Sequence, residues 1–265
     1  MNPFALSGLL TAVTSLLFGT FVYLKGRTPR INRLWLLFSL SVGMWGLGAT
    51  YIALSQDRTE ALWNWRFAFA TSVAWIPVLF LHFVYVFCEF ERPRFLALNY
   101  VLAMAFLPAM ATPQFFADVR LAFGSIYYAE PGPSFTPFFV WWFGIVTLAH
   151  IKLWHTRAGT TGQKRAQIHY FFLATLIGYA GGSLDYLPIF GLNIYPYGNF
   201  AISLYPIIMT YAILRYRLMD ISVVLNKGLA YAVLGIAIFC ISYFGATLST
   251  RATLSTARPI NCGRL

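Results

Sequence analysis

Arg66 and Asp185 stand at the edges of long apolar runs, where a charge is expensive to place beside lipid. A guanidinium and a carboxylate so placed either pair across a helix bundle, lining a cavity, or turn separately to the interface. Tyr195 and Tyr197 follow in a Tyr-Pro-Tyr-Gly-Asn segment, and with Arg66 and Asp185 they form the candidate mouth of a ligand-binding pocket. Such aromatic residues near a membrane surface serve equally well as an interfacial belt. His82 and His150 lie deep inside their runs, as haem or metal ligands would. They lack HxxxH or HExxH spacing and a supporting carboxylate cluster, so hydrogen-bonded packing is the expected role and no metal or cofactor is indicated. His155 and His169 lie at run ends. Cys88, Cys240 and Cys262 make no CxxC pair, and Cys88 and Cys240 read as apolar filler. There is no GxSxG, no phosphate-binding loop and no GxGxxG after a strand, so no catalytic site is expected.

The elements that must hold these residues are membrane helices. Of 265 residues, 59% are hydrophobic and only 10% charged, and the mean hydropathy is +0.66. Too little charge is present to cover a water-soluble surface of this size. Apolar runs of roughly spanning length recur at 3–24, 34–54, 67–87, 95–115, 138–154, 168–187, 200–216 and 229–248. Continuous runs of this kind predict helices, since barrel strands would alternate. The predicted fold is therefore an all-α polytopic transmembrane bundle, with a seven-helix core over residues 1–225 and an eighth span plus tail over 226–265.

The net charge of +11 does not indicate nucleic acid, because the basic residues fall between the apolar runs instead of on one face. Lys25, Arg27, Arg30 and Arg33 follow the first run, and Arg92 and Arg94 the third. Lys152, Arg157, Lys164 and Arg165 follow the fifth, and Arg215, Arg217 and Lys227 the seventh. These are thirteen of the 19 basic residues, and the positive-inside rule then predicts an N-terminus outside the cell. The first run has no basic residue before it and reads as an uncleaved anchor. Loop residues 117–136 and 185–199 fall on the outer side, rich in Tyr, Pro and Gly. Gly43, Gly46 and Gly48 in the second run, and Gly178, Gly181 and Gly182 in the sixth, are candidate seams for close helix packing; Gly181-Gly182 would also suit a moving helix. A retinal-binding protein is excluded, because the seventh run has no lysine for a Schiff base. A small transporter is the competing class, against which stand the few charges at mid-membrane and the lack of an evident internal repeat.

Arg215, Arg217 and Asp220 close the seventh run. The arginines can anchor to lipid phosphates, and Asp220 is spaced to reach Arg217 or Tyr216 on one helical face. Such a helix exit either transmits a rotation or piston shift or simply stops the span. The string Tyr211-Ala212-Ile213-Leu214-Arg215-Tyr216-Arg217-Leu218-Met219-Asp220-Ile221, with Tyr195-Pro196-Tyr197-Gly198-Asn199 before it, resembles the end of the N-terminal seven-helix sensor region of bacterial histidine kinases. Trp45, Trp65-Arg66, Pro77, Phe83 and Asp185-Tyr186-Leu187-Pro188 resemble the same family, over about residues 5–225. The resemblance implies a sensor in the bacterial inner membrane that perceives a small ligand or membrane state. It also implies signalling to a cytoplasmic kinase or cyclase, as a homodimer. The chain departs from the family after the seventh run: no histidine lies in an H-E-x-x-x-P context and there is no D-x-G-x-G. An eighth run follows, and a sensor truncated before its output domain is expected.

Overall fold

Small residues draw the first two helices together. The structure is a computed structural model that describes residues 2–25 and 29–216. Helices α1 (Pro3–Lys25) and α2 (Arg30–Leu54) run antiparallel. Gly46 on α2 lies directly against the backbone of Gly8 and Ala12 on α1, and Gly43 lies against Leu16. The hydroxyl of Thr50 donates to the Ala5 carbonyl at 3.3 Å, and the Asn2 amide to that of Ala53 at 2.9 Å. Without water to drive association, such close backbone approach supplies the packing. Hydroxyls inside the helices donate back to carbonyls of the preceding turn, as Thr14 does to Leu10 and Thr175 to Phe171. That pairing removes the cost of placing them in an apolar interior.

The third apolar run begins earlier than its hydropathy suggests. Asp57 caps helix α3 (Arg58–Ala68), accepting from the Glu60 amide at 2.9 Å, while Glu60 accepts from the Gln56 amide at 2.8 Å. This reciprocal cap starts the helix nine residues before the expected boundary at Phe67. A π-helical turn, Phe69–Val73, links α3 to α4 (Ile76–Phe87). Trp75 Nε1 donates to the Ala70 carbonyl at 3.1 Å and Trp142 Nε1 to that of Val73 at 3.2 Å, so indoles serve carbonyls of the widened turn.

Helix α5 (Pro93–Met110) ends before the expected 115, and a two-stranded antiparallel hairpin follows where a loop was expected. Its strands are β1 (Phe116–Ala122) and β2 (Ile126–Pro131), with Val119 opposite Ala129. At its tip Phe123 and Gly124 both have positive φ, which suits the tight hairpin turn closed by Ser125 N–H on the Ala122 carbonyl. Helices α6 (Phe135–Ala158), α7 (Gly162–Leu184) and α8 (Asn199–Tyr216) complete the bundle. Helices α7 and α8 meet through Gly181 and Gly198, each of which faces the other's carbonyl. Among the described residues, five helices are long and apolar enough to cross a membrane, α3 to α4 counting as one. The architecture is an all-α membrane bundle with one small hairpin. Arg217, Asp220 and the expected eighth span lie outside the described residues, as does the side chain of Arg215.

Candidate functional site

A cavity of about 90 Å³ lies where α2, the π turn, α4, α6, α7 and α8 converge. It would hold roughly half a dozen waters, or one small organic molecule. Its walls are largely aromatic, with Trp45, Trp65, Phe69, Trp142, Tyr186 and Tyr205 prominent. The π turn contributes Phe69 and Val73 directly, an instance of the tendency of such turns to fall at functional sites.

A carboxylate and an imidazole interrupt the wall. Asp185, just past the end of α7, is 4% exposed, and neither carboxylate oxygen has a hydrogen-bond partner among the described residues. His150 on α6 fixes its ring by Nδ1 to the Val146 carbonyl at 2.8 Å and by stacking on Tyr179 at 5.2 Å. Buried polar atoms normally find partners, and a buried carboxylate without one is the most costly such exception on this cavity wall.

The hairpin caps this end of the bundle. Trp65 Nε1 donates to the Tyr127 carbonyl at 2.9 Å, and Arg66 Nη2 to that of Phe116 at 2.9 Å. Tyr128 donates from its hydroxyl to the Asp185 backbone carbonyl at 2.7 Å. Full burial pushes the Tyr128 hydroxyl well above its ordinary titration range, so it stays a donor. Arg120 reaches the Pro188 carbonyl. Arg58 grips Asp118 with two contacts of 2.8 and 2.6 Å, and this hydrogen bonding holds the Asp118 carboxyl below the usual carboxylate range.

Of the four residues expected at a pocket mouth, the structure brings only Asp185 to the cavity. The envisaged Arg66–Asp185 ion pair does not form: Arg66 is engaged by the Phe116 carbonyl and lies 5.6 Å from the Trp63 ring. Tyr195 accepts from the Phe4 backbone N–H at 3.1 Å and packs on Tyr197 and on Phe123 at the hairpin tip. Neither tyrosine lines the cavity. His82 bridges Arg30 and Tyr100, at 2.9 and 2.8 Å, away from the cavity. Trp142, Tyr179 and Tyr205 were missed; a Trp or Tyr in an aromatic-rich span carries no mark that separates wall from belt.

Asn199 ties the cavity wall to the rest of the bundle. Trp45 Nε1 donates to its Oδ1 at 3.1 Å, and its Nδ2 donates to Ser7 Oγ at 2.8 Å, joining α2, α8 and α1. Asn199→Ala strands the buried indole N–H, and a loss of about 2–3 kcal/mol is expected, read as a lowered midpoint of thermal unfolding.

Residues 8–222 match a family model described as the N-terminal 7TM region of histidine kinase. No curated protein matches the chain.

Proposed function

From the premise that the chain belongs to the family of N-terminal seven-transmembrane regions of histidine kinases, we propose that it senses a small molecule in the aromatic cavity. The carrying observation is that aromatic cavity at the convergence of the helices, with the Asp185 carboxylate on its wall and without a hydrogen-bond partner among the described residues. It supports a binding role; a merely structural core would be packed tight.

The route out runs through α8. Gly178 and Gly182 on α7 and Ile202 and Tyr205 on α8 all line the cavity. Pro206 follows Tyr205 inside α8. Lacking an N–H, it cannot bond the Ile202 carbonyl, so α8 has a bending point at the cavity wall. An occupant that favours one α7–α8 packing over another shifts the population of bundle states. The far end of α8 leads to Arg215, Arg217 and Asp220, which we assign to transmission toward a cytoplasmic kinase or cyclase output. In this reading the protein sits in the bacterial inner membrane as a homodimer. Most of the basic residues lie on the cytoplasmic side and the N-terminus and hairpin outside, as the charge distribution supports.

The test uses the protein in lipid nanodiscs. Trp45, Trp65 and Trp142 line the cavity, so intrinsic fluorescence reports an occupant. Val146→Phe fills the cavity from α6 without touching the α7–α8 seam, and is expected to weaken binding of small aromatic and ammonium probes at least tenfold. Unchanged binding would refute the site. Accumulation of the same probes inside proteoliposomes would support a transporter instead.

A further inference from the structure

Resting on the sensing cavity just described, we propose that its ligand is a small organic ammonium ion, held by Asp185 as counter-charge against walls of Trp45, Trp65, Phe69, Trp142 and Tyr205. The Asp185 carboxylate is 4% exposed, lines the cavity, and has no partner for either oxygen among the described residues. The nearby cations are occupied elsewhere. Arg66 donates to the Phe116 carbonyl, and Arg120 serves the Pro188 carbonyl and lies 3.6 Å from Glu130. The two ion pairs among the described residues both belong to the hairpin and neither includes Asp185.

His150 does not supply the missing charge. It stacks on Tyr179, which lies six residues before Asp185 on the α7 run, roughly 9 Å along the helix axis at 1.5 Å per residue. The two groups form no ion pair among the described residues. A buried carboxyl group either keeps its proton or is balanced by a cation, and the cavity leaves room for that cation to arrive with a ligand and hold the group ionised. The walls choose the kind of cation. Aromatic faces attract an alkylated ammonium and tolerate its apolar shell, whereas a strongly hydrated metal ion would find no second carboxylate among the lining residues.

Paired probes of equal shape separate charge from hydrophobicity: choline against 3,3-dimethyl-1-butanol, and trimethylphenylammonium against tert-butylbenzene. Binding to the nanodisc-held protein is read by quenching of intrinsic fluorescence. Each cation is expected to bind at least tenfold more tightly than its neutral partner. Asp185→Asn is expected to erase that preference and Asp185→Glu to retain it. The Asn variant keeps the bond from Tyr128, which goes to the backbone carbonyl of residue 185, and retained hairpin protection from proteolysis verifies its fold. Neutral probes binding as tightly as cations would overturn the cation assignment while leaving the sensing cavity intact. Binding of neither class would overturn both. A preference for cations that survives Asp185→Asn would overturn the role given to Asp185.

Discussion

Replacing Gly46 by leucine is expected to prevent the bundle from assembling, with little monodisperse protein recovered from membranes. At this position any side chain meets the backbone of α1 at Gly8 and Ala12, and a backbone cannot swing aside as the end of a side chain can. Relief requires α1 and α2 to move apart. That separation breaks the Thr50–Ala5 and Asn2–Ala53 hydrogen bonds and opens the buried seam along Ala12 and Phe18. Overpacking a tight core typically costs 1–3 kcal/mol; with backbone as the obstacle, a loss of about 3 kcal/mol or more is expected. Set against a typical total stability of roughly 5–15 kcal/mol, this is a severe change. Gly144→Leu is the control. Gly144 is exposed on α6 and a Cβ there meets nothing within 4 Å, so normal recovery is expected. Size-exclusion profiles of the two variants, extracted in the same detergent, make the comparison.

The helices were legible because bilayer thickness imposes a length on any apolar run, and the glycine seams because lipid offers little else to hold helices together. Gly46 and Gly181 do sit in the closest contacts, though their partners Gly8 and Gly198 went unread. Boundaries were less legible, because hydropathy is blind to caps: the Asp57–Glu60 exchange begins α3 in a polar stretch. The hairpin escaped for a related reason. Its strands have seven and six residues and lie among prolines and glycines, with an irregular register between Phe116 and Asp118. Too few alternations remain to separate a strand from a loop.

Missing the hairpin also misplaced Arg66. Read as one of two opposite charges at similar depth, it invited pairing with Asp185. The Phe116 carbonyl, its actual acceptor, is presented to it only once β1 forms. Asp185 was legible as an expensive residue but its isolation was not, since the absence of a partner is a property of the fold. Trp45 and Trp65 were noticed through resemblance alone; their shared place on the cavity wall follows from a helix convergence that no periodicity reveals.

Trp65→Ala is expected to have the second large effect, and one that joins stability to sensing. Trp65 is fully buried, with Tyr128 at 4.9 Å, Phe116 at 5.8 Å and Trp45 at 6.2 Å between ring centroids. It thus touches the hairpin on one side and the cavity wall on the other. Removing the indole loses that packing and leaves the Tyr127 carbonyl without its donor, a cost of about 3–5 kcal/mol in a buried setting. The loss should concentrate on the hairpin, whose other ties are the Arg58, Arg66, Arg120 and Tyr128 contacts. Amide exchange in β1 and β2 is therefore expected to accelerate more than in α1 and α2. Trp65→Phe separates the two contributions. It retains a ring but not the hydrogen bond, and a loss of about 1 kcal/mol is expected, with the cavity still closed. If the hairpin exchanges no faster in Trp65→Ala than in the parent, the cap is held by its arginines and tyrosine alone. Access to the cavity would then have to be controlled between helices, at the α7–α8 seam where Gly178 meets Tyr205.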